Sequence, residues 1–221
     1  MRPAFLVGLD FEAAILQRAG TGALVAIARQ GDAAVTRHSL EQLIAQGADA
    51  VTSFGIAGAL DPALRPGTLV LAEAVIDQVA GGAVIATDAA WRRAIALKTD
   101  VIGGHLVTVA VPVATPGDKA ALFRQTGAIA VDAESAIAGR VAAGRGLPFL
   151  VVRAIADDAR QRLPAAALAG VDADGNVRPW AAAAALLRRP GDIAALIRLG
   201  RATALARRAL GAVAPVLVAS G

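Results

Sequence analysis

The feature that most constrains the fold is a series of short apolar runs, each followed by a stretch with helical spacing. Residues 4–9 form a continuous apolar run with Gly8 near its end, and Asp10 and Glu12 follow at once. That is the pattern of a buried strand opening into a helix. Residues 23–28 read as a second strand, and Asp32 opens an amphipathic helix over 32–46, closed by Gly47. Residues 50–54 form the next strand. It runs into Gly55-Ile56-Ala57-Gly58, read as a turn whose glycines let a ligand approach the backbone. Turns at Asp61-Pro62 and Pro66-Gly67 precede a strand over 68–72. Beyond it the pattern predicts a helix over 87–97, a strand over 105–113, a helix over 118–125 and a short strand over 128–132. A helix over 135–144 and a strongly apolar strand over 149–155, ending at Asp157-Asp158, come next. Residues 163–179 lack periodicity and read as a loop, followed by helical segments over 180–189 and 192–210.

Strands alternating with helices of this length predict an α/β fold, a mainly parallel mixed sheet covered on both faces in three α/β/α layers. In such sheets ligands sit at the carboxyl ends of strands. Three acidic residues fall at or just beyond such ends: Glu12, Glu134 and Asp157. The glycine spacing is not Gly-x-Gly-x-x-Gly, so a dinucleotide site is not indicated.

The 221 residues, 56% of them hydrophobic, suffice for one substantial core, and no linker divides them, so 1–221 is read as one domain. The absence of cysteine excludes disulfides and thiolate catalysis, and the two histidines, His38 and His105, do not make a histidine-rich metal centre. No metal and no organic cofactor are expected. The N-terminal stretch is too short and too acidic for a signal peptide, and no apolar run is read as long enough to span a bilayer, so a cytoplasmic location is expected. The net charge of +4 rests on arginines gathered toward the C-terminus without aromatic partners, which argues against nucleic acid. Arg178, Arg188, Arg189, Arg198, Arg201, Arg207 and Arg208 interleave with Ile193, Leu196, Ile197 and Leu205. A basic amphipathic segment over about 178–210 fits either peripheral contact with an anionic membrane surface or a helix packing its apolar face on the sheet.

Three motifs carry a family resemblance. Ser53-Phe54-Gly55-Ile56-Ala57-Gly58-Ala59-Leu60, Val131-Asp132-Ala133-Glu134-Ser135 and Val152-Arg153-Ala154-Ile155-Ala156-Asp157 stand in this order. In this order and spacing the chain resembles the superfamily of purine nucleoside phosphorylases and methylthioadenosine/S-adenosylhomocysteine nucleosidases. Lys119-Ala120-Ala121-Leu122 ahead of the second motif, together with the arginine-rich tail, is similar to the hopanoid-associated phosphorylase branch. The resemblance implies a nucleoside phosphorylase-like fold, at least a homodimer, and release of adenine from a small-molecule or lipid-linked nucleoside such as adenosylhopane.

Breaking a glycosidic bond to a purine requires a proton donor for the departing base, a group on the ribose hydroxyls and an oriented nucleophile. By resemblance Asp157 is the donor and Glu134 holds the ribose, where an ionised acceptor binds two hydroxyls strongly. Glu12 orients or deprotonates the nucleophile, with Asp10 as the alternative. Gly8, Ser53, Ile56, Ala57, Gly58 and Ala133 complete the expected substrate contacts. Each of these acids also has a plain structural reading as a helix-end residue or cap. Ala133 and Ala156 stand where the family carries methionine and serine, which implies a wider, less polar pocket suited to a bulky 5′ group. No arginine stands just ahead of Ser53 to take phosphate; Arg18, Arg29 and Arg153 are substitutes, and water or phosphate as co-substrate stays open. His38 and His105 receive no role, and Trp91 and Trp180 are read as packing. The competing functions are a soluble methylthioadenosine/S-adenosylhomocysteine nucleosidase and a non-catalytic nucleoside-binding protein.

Overall fold

A computed structural model of the chain describes residues 1–29, 32–164, 167 and 190–219. The predicted loop beyond 164, the helix predicted over 180–189, and with them Trp180, Arg178, Arg188 and Arg189, fall almost wholly outside the described residues. The described elements are β1 (Pro3–Val7), α1 (Asp10–Ala19), β2 (Leu24–Ile27), α2 (Ala33–Ala45), β3 (Ala50–Ala59), β4 (Leu69–Asp77) and β5 (Ala83–Ala86). After them come α3 (Ala89–Ala96), β6 (Ile102–Thr108), α4 (Pro116–Thr126), β7 (Ala130–Asp132), α5 (Ser135–Arg145), β8 (Phe149–Asp157) and α6 (Ile193–Ala219).

The strands form one mixed sheet in the order β2-β1-β3-β7-β6-β4-β5, and β8 bridges β3 and β4. β1 pairs in parallel with β2 and β3, β3 with β8, β4 with β6, and β6 with β7; the β3–β7, β4–β5 and β4–β8 pairs are antiparallel. The ring β3–β7–β6–β4–β8 therefore closes on itself, and β3 and β8 run through its wall.

Period-two alternation along the strands separates two cores, as expected when both faces of a sheet are covered. On one face Ala4, Leu6, Val51, Val151 and Ile155 pack with Leu40 of α2 and Ala138 and Val141 of α5. On the other, Phe5, Phe54, Leu150 and Val152 pack with Leu16 of α1, Trp91 and Ile95 of α3, and Leu210, Val213 and Leu217 of α6. The expected three layers are thus present, and Trp91 is a packing residue. A third cluster seats α4 through Leu122 and Phe123 on Val107 and Val131.

Several boundaries differ from the sequence reading. The segment read as a glycine turn at 55–58 is strand: β3 continues to Ala59, with a bulge between Ala57 and Gly58 in its pairing to β8. The cross-strand partner supplied by β8 keeps these glycines extended, which no local signal reveals. The strand read over 105–113 ends at Thr108, and 109–113 is a loop ahead of α4. Pro112 within it has no N–H to give to a ladder. β4 runs on to Asp77 and pairs with β5, a strand the sequence reading missed. β8 reaches Asp157, so this residue ends the strand instead of following it.

α6 continues past Leu210 to Ala219 with Pro215 inside it. With a mean hydropathy of 1.4 it is, by length and composition, long and apolar enough to cross a membrane. The sequence reading found no such run because it ended the helix at Leu210. Ala202, Ala206, Leu210, Val213, Ala214 and Leu217 of α6 are buried against β8 and α1, so the packing alternative holds for this face. Arg198, Arg201, Arg207 and Arg208 are exposed on the outer face with Ile193, Ile197 and Leu205.

Candidate active site

A cavity of about 230 Å³ opens where the ends of β1, β7 and β8 meet the last part of β3. Glu12, Glu134, Asp157, Gly8, Ile56, Ala57, Gly58 and Ala133 all line it, as do Arg153, Asp132, Leu9, Leu163 and the loop residues Val109, Pro112 and Val113. Ser53 does not: it is fully buried behind the cavity, where its hydroxyl accepts from Arg153 Nη2 at 2.8 Å. Asp10 is exposed in the first turn of α1, outside the cavity. His38 sits on the exposed face of α2 beside Gln42, and neither it nor His105 lines the cavity.

Glu12 is buried, and its carboxylate accepts three backbone N–H bonds, from Gly8 at 2.8 Å, Leu9 at 3.0 Å and Ile56 at 2.7 Å. The bond to Leu9 is the reach-back of a helix-end glutamate onto the residue preceding the helix. The bond to Ile56 ties α1 to β3. The helix-end bond of the plain structural reading is thus present, and the same residue lines the cavity. Burial raises its pKa above the usual 4.5, while the Arg153 charge and the three N–H donors oppose the rise.

Glu134 precedes α5 but makes no capping bond to it; Asp132 instead accepts from Ser135 N at 3.2 Å and from Ser135 Oγ. This division of labour leaves the Glu134 carboxylate turned to the cavity. Arg153, in the middle of β8 and 1% exposed, pairs with Asp132 at 2.5 Å and with Glu134 at 3.3 Å, and also donates to Ser135 Oγ at 3.2 Å. Burial raises the Glu134 pKa to about 7; Arg153 pulls it down, while the charges of Asp132 and Glu12 push it up. Burial works against the Arg153 charge, but Asp132, Glu134 and Glu12 outweigh it and hold the guanidinium pKa above its ordinary value.

At the other end of the cavity Asp157 accepts a short hydrogen bond on Oδ2 from Lys119 Nζ of α4, a residue 1% exposed. Burial raises the Asp157 pKa above the ordinary 3.8, Lys119 opposes that rise, and Asp158 adds to it.

Three glycines make room for three carboxylates. A Cβ on Gly55 would fall 2.5 Å from both Arg153 Nη1 and Glu12 Oε1, one on Gly58 would lie 3.0 Å from Asp157 Oδ1, and one on Gly8 3.0 Å from Glu134 Oε1. The glycines read as a ligand cradle thus let the acids close in on the backbone.

A second cavity of about 270 Å³ shares Val109, Pro112, Ala133 and Glu134 with the first and extends past Ala28, Ala33, Val79 and Ile137 toward Arg29 and the Asp77–Arg140 ion pair. The sequence reading singled out neither Lys119 as a site residue nor this chamber. Arg153 was named only as a phosphate candidate. A charge in the centre of the apolar run 149–155 was the available signal, because a buried arginine demands acidic partners.

Buried acids converge on one cavity at the strand ends of a mainly parallel α/β sheet, and this geometry, taken with the family that the chain matches, makes it an enzyme that cleaves N-glycosyl bonds. The profile of the phosphorylase superfamily matches residues 11–188, and the chain belongs to that superfamily. Among solved structures it is similar to the Helicobacter pylori 5′-methylthioadenosine/S-adenosylhomocysteine nucleosidase with butyl-thio-DADMe-Immucillin-A (15% identity, 96% of each chain covered, TM-score 0.65). It also resembles the Streptococcus pyogenes S-adenosylhomocysteine nucleosidase in complex with 5-methylthiotubericidin (20% identity, 72% of this chain and 85% of that one, TM-score 0.62). The native futalosine hydrolase of H. pylori matches at 17% identity over 72% of this chain and 85% of its own, TM-score 0.61. No curated protein matches the sequence significantly.

Proposed function

We propose that this protein hydrolyses the N-glycosidic bond of an adenine nucleoside that carries a bulky apolar 5′ group, adenosylhopane being the fitting case. The observation that carries the reading is the placement of Glu12, Glu134 and Asp157 around one cavity, Glu12 and Asp157 buried and Glu134 half-buried, each fixed by a different partner. Glu134 accepts from the ribose hydroxyls. Asp157 gives its proton to the departing base. Glu12, held by three N–H groups, orients a water below C1′ and takes its proton as the ribosyl cation-like state is captured.

Water is favoured over phosphate because Arg153, the cation that lines this cavity among the described residues, is already matched to Asp132 and Glu134. A phosphate there meets several carboxylates. The adjoining chamber supports the bulky 5′ group: each cavity alone is small for a ligand site, but together they enter the range of about 300–1,000 Å³ common for such sites. The purine nucleoside analogues bound to the nucleosidases above agree with the base and ribose parts of this reading.

The test is incubation with adenosine, 5′-methylthioadenosine and adenosylhopane, with and without phosphate. Adenine and a free reducing sugar, in equal amounts with or without phosphate, are expected, with adenosylhopane preferred. A sugar 1-phosphate would replace hydrolysis by phosphorolysis, and no base from any nucleoside would end the reading.

A lipid-linked substrate gives the outer face of α6 a purpose in this reading, a peripheral contact at the inner membrane surface. Its first turns lie beside Asp158, Gln161 and Pro164, close to the loop that sends Leu163 into the cavity. Arg207 also stacks over the Phe11 ring at 4.8 Å and so has a packing role. Arginines near anionic lipid contribute up to about 1 kcal/mol each and are screened by salt. Salt-sensitive binding to phosphatidylglycerol vesicles is expected, weakened in the variant Arg198→Gln/Arg201→Gln/Arg208→Gln with unchanged turnover of 5′-methylthioadenosine. Equal vesicle binding by both proteins removes the membrane role.

A further inference from the structure

Lys119 is a fully buried cation that the proposed chemistry leaves without a task. All three of its N–H donors are used: one on Asp157 Oδ2, one on the carbonyl of Asp158 at 2.8 Å and one on the carbonyl of Gln161 at 3.1 Å. It reaches them from the first turn of α4, where Thr115 caps the helix by accepting from Asp118 N at 3.1 Å and Pro116 sets its start. A second tie between the same two segments is the bond from Leu163 N to Ala114 O at 2.9 Å. The loop after β8 is thus pinned to α4 beside the cavity, and Leu163 lines that cavity.

Stability does not ask for an ammonium here. A buried ion pair brings little net stability over apolar side chains of similar volume, because both charges leave water. What the pair does is specific to one atom: it occupies Oδ2 of the acid at the base end and leaves Oδ1 without a lysine bond. The charges facing this carboxyl are Lys119 from α4 and Asp158 just after β8, whose own carboxylate has Arg65 at 3.9 Å from the β3–β4 connection; β3 contributes only Gly58.

We propose that Lys119 is a positioning residue for departure of the base: its buried ammonium aims the Asp157 carboxyl at the base and stabilises the carboxylate that forms as the proton leaves. The inference rests on the proposed hydrolysis and assigns a partner to its acid. In that step the C1′–N bond breaks with its electron pair going to the base, and the Asp157 O–H bond breaks as an N–H bond forms on the base. The electrons left on Asp157 make a carboxylate facing the ammonium. The attacking water bonds to C1′ and gives its proton to Glu12, and both carboxyl groups return to their starting states by exchange with solvent.

The experiment compares two substrates, 5′-methylthioadenosine and 4-nitrophenyl ribofuranoside, whose phenolate leaves without being protonated. In Lys119→Met the kcat for the purine nucleoside falls by about 100-fold, the lower end of the contribution of a general acid, while 4-nitrophenyl release changes by less than about threefold. Lys119→Arg, which keeps the charge, recovers most of the purine rate. Asp157→Asn shows the same substrate split more strongly. Loss of the cation makes Asp157 a weaker acid, so the alkaline limb of kcat/KM for the purine moves to higher pH in Lys119→Met and stays in place in Lys119→Arg. Lys119→Gln retains a donor for the two carbonyls without the charge and gives the same readout should the methionine variant fold poorly. Equal losses on both substrates, or purine turnover near wild type in the uncharged variants, overturn the role of Lys119 and leave the hydrolysis standing. A wild-type enzyme that releases base from no adenine nucleoside, adenosylhopane included, overturns both.

Discussion

At the Glu134 end of the cavity one guanidinium serves a crowd, Asp132 and Glu134 by contact and Glu12 through its field, whereas at the Asp157 end one ammonium faces one reacting carboxyl. The first arrangement couples its members: the charges of Asp132 and Glu12 raise the pKa of Glu134, and the arginine is the only contact cation that Asp132 and Glu134 share among the described residues. The second is a private pair that tunes one acid. A site that must bind two hydroxyls and steer a water gains from a rigid, shared network. A site that must release one proton gains from a partner acting on that proton alone.

Arg153→Met should have the largest effect. It leaves the buried Asp132 and the half-buried Glu134 without their cation and Glu12 without its field, and removal of one partner from a buried ion pair alone costs about 3–5 kcal/mol. A fall in Tm of about 10 °C or more follows for a chain of this size, with loss of turnover on both purine and nitrophenyl substrates. Lys119→Met, which strands one carboxyl, should lose clearly less. Equal losses in thermal melts would show that the two ends are built alike.

The glycines give a finer comparison. Gly55→Ala drives a methyl group against both Arg153 and Glu12, so overpacking by about 1–3 kcal/mol and a lower Tm are expected. Gly58→Ala meets Asp157 at 3.0 Å, tight but not overlapping, and should keep its Tm within about 3 °C while slowing purine release. If Gly58→Ala is the less stable of the two, the base end is the more rigid one.

The smallest effect is in pH dependence. With its pKa raised to about 7, Glu134 holds a proton in the folded protein that the unfolded chain has released above the ordinary value of 4.5. Its contribution favours folding below about 4.5 and is lost as pH rises through about 7. The Tm of the wild type relative to Glu134→Gln should therefore fall between pH 5 and pH 8. A difference that stays flat over this window would show that Arg153 keeps Glu134 ionised throughout.

Much of this was legible in the chain. The alternation of apolar runs and helical segments gave the layers, because parallel strands covered on both faces must be apolar throughout. The motifs around Glu134 and Asp157, together with Glu12, named the acids that the cavity gathers. Strand 149–155 announced its burial, and its single arginine announced a need for partners. What remained hidden was non-local. Residues 55–58 look like a turn until β8 lies beside them, and β5 lacks meaning without β4.

Sequence alone determined which side chains face which layer, since a residue's place in a strand or helix fixes its direction. It also supplied the acids. Only the tertiary structure decided their company: that Arg153 meets Asp132 and Glu134, that Glu12 bonds to Ile56 N across 44 positions, and that Lys119 reaches Asp157 across 38. Charge pairing and pKa depend on distance and desolvation in space, and closure of the ring through β8 sets both.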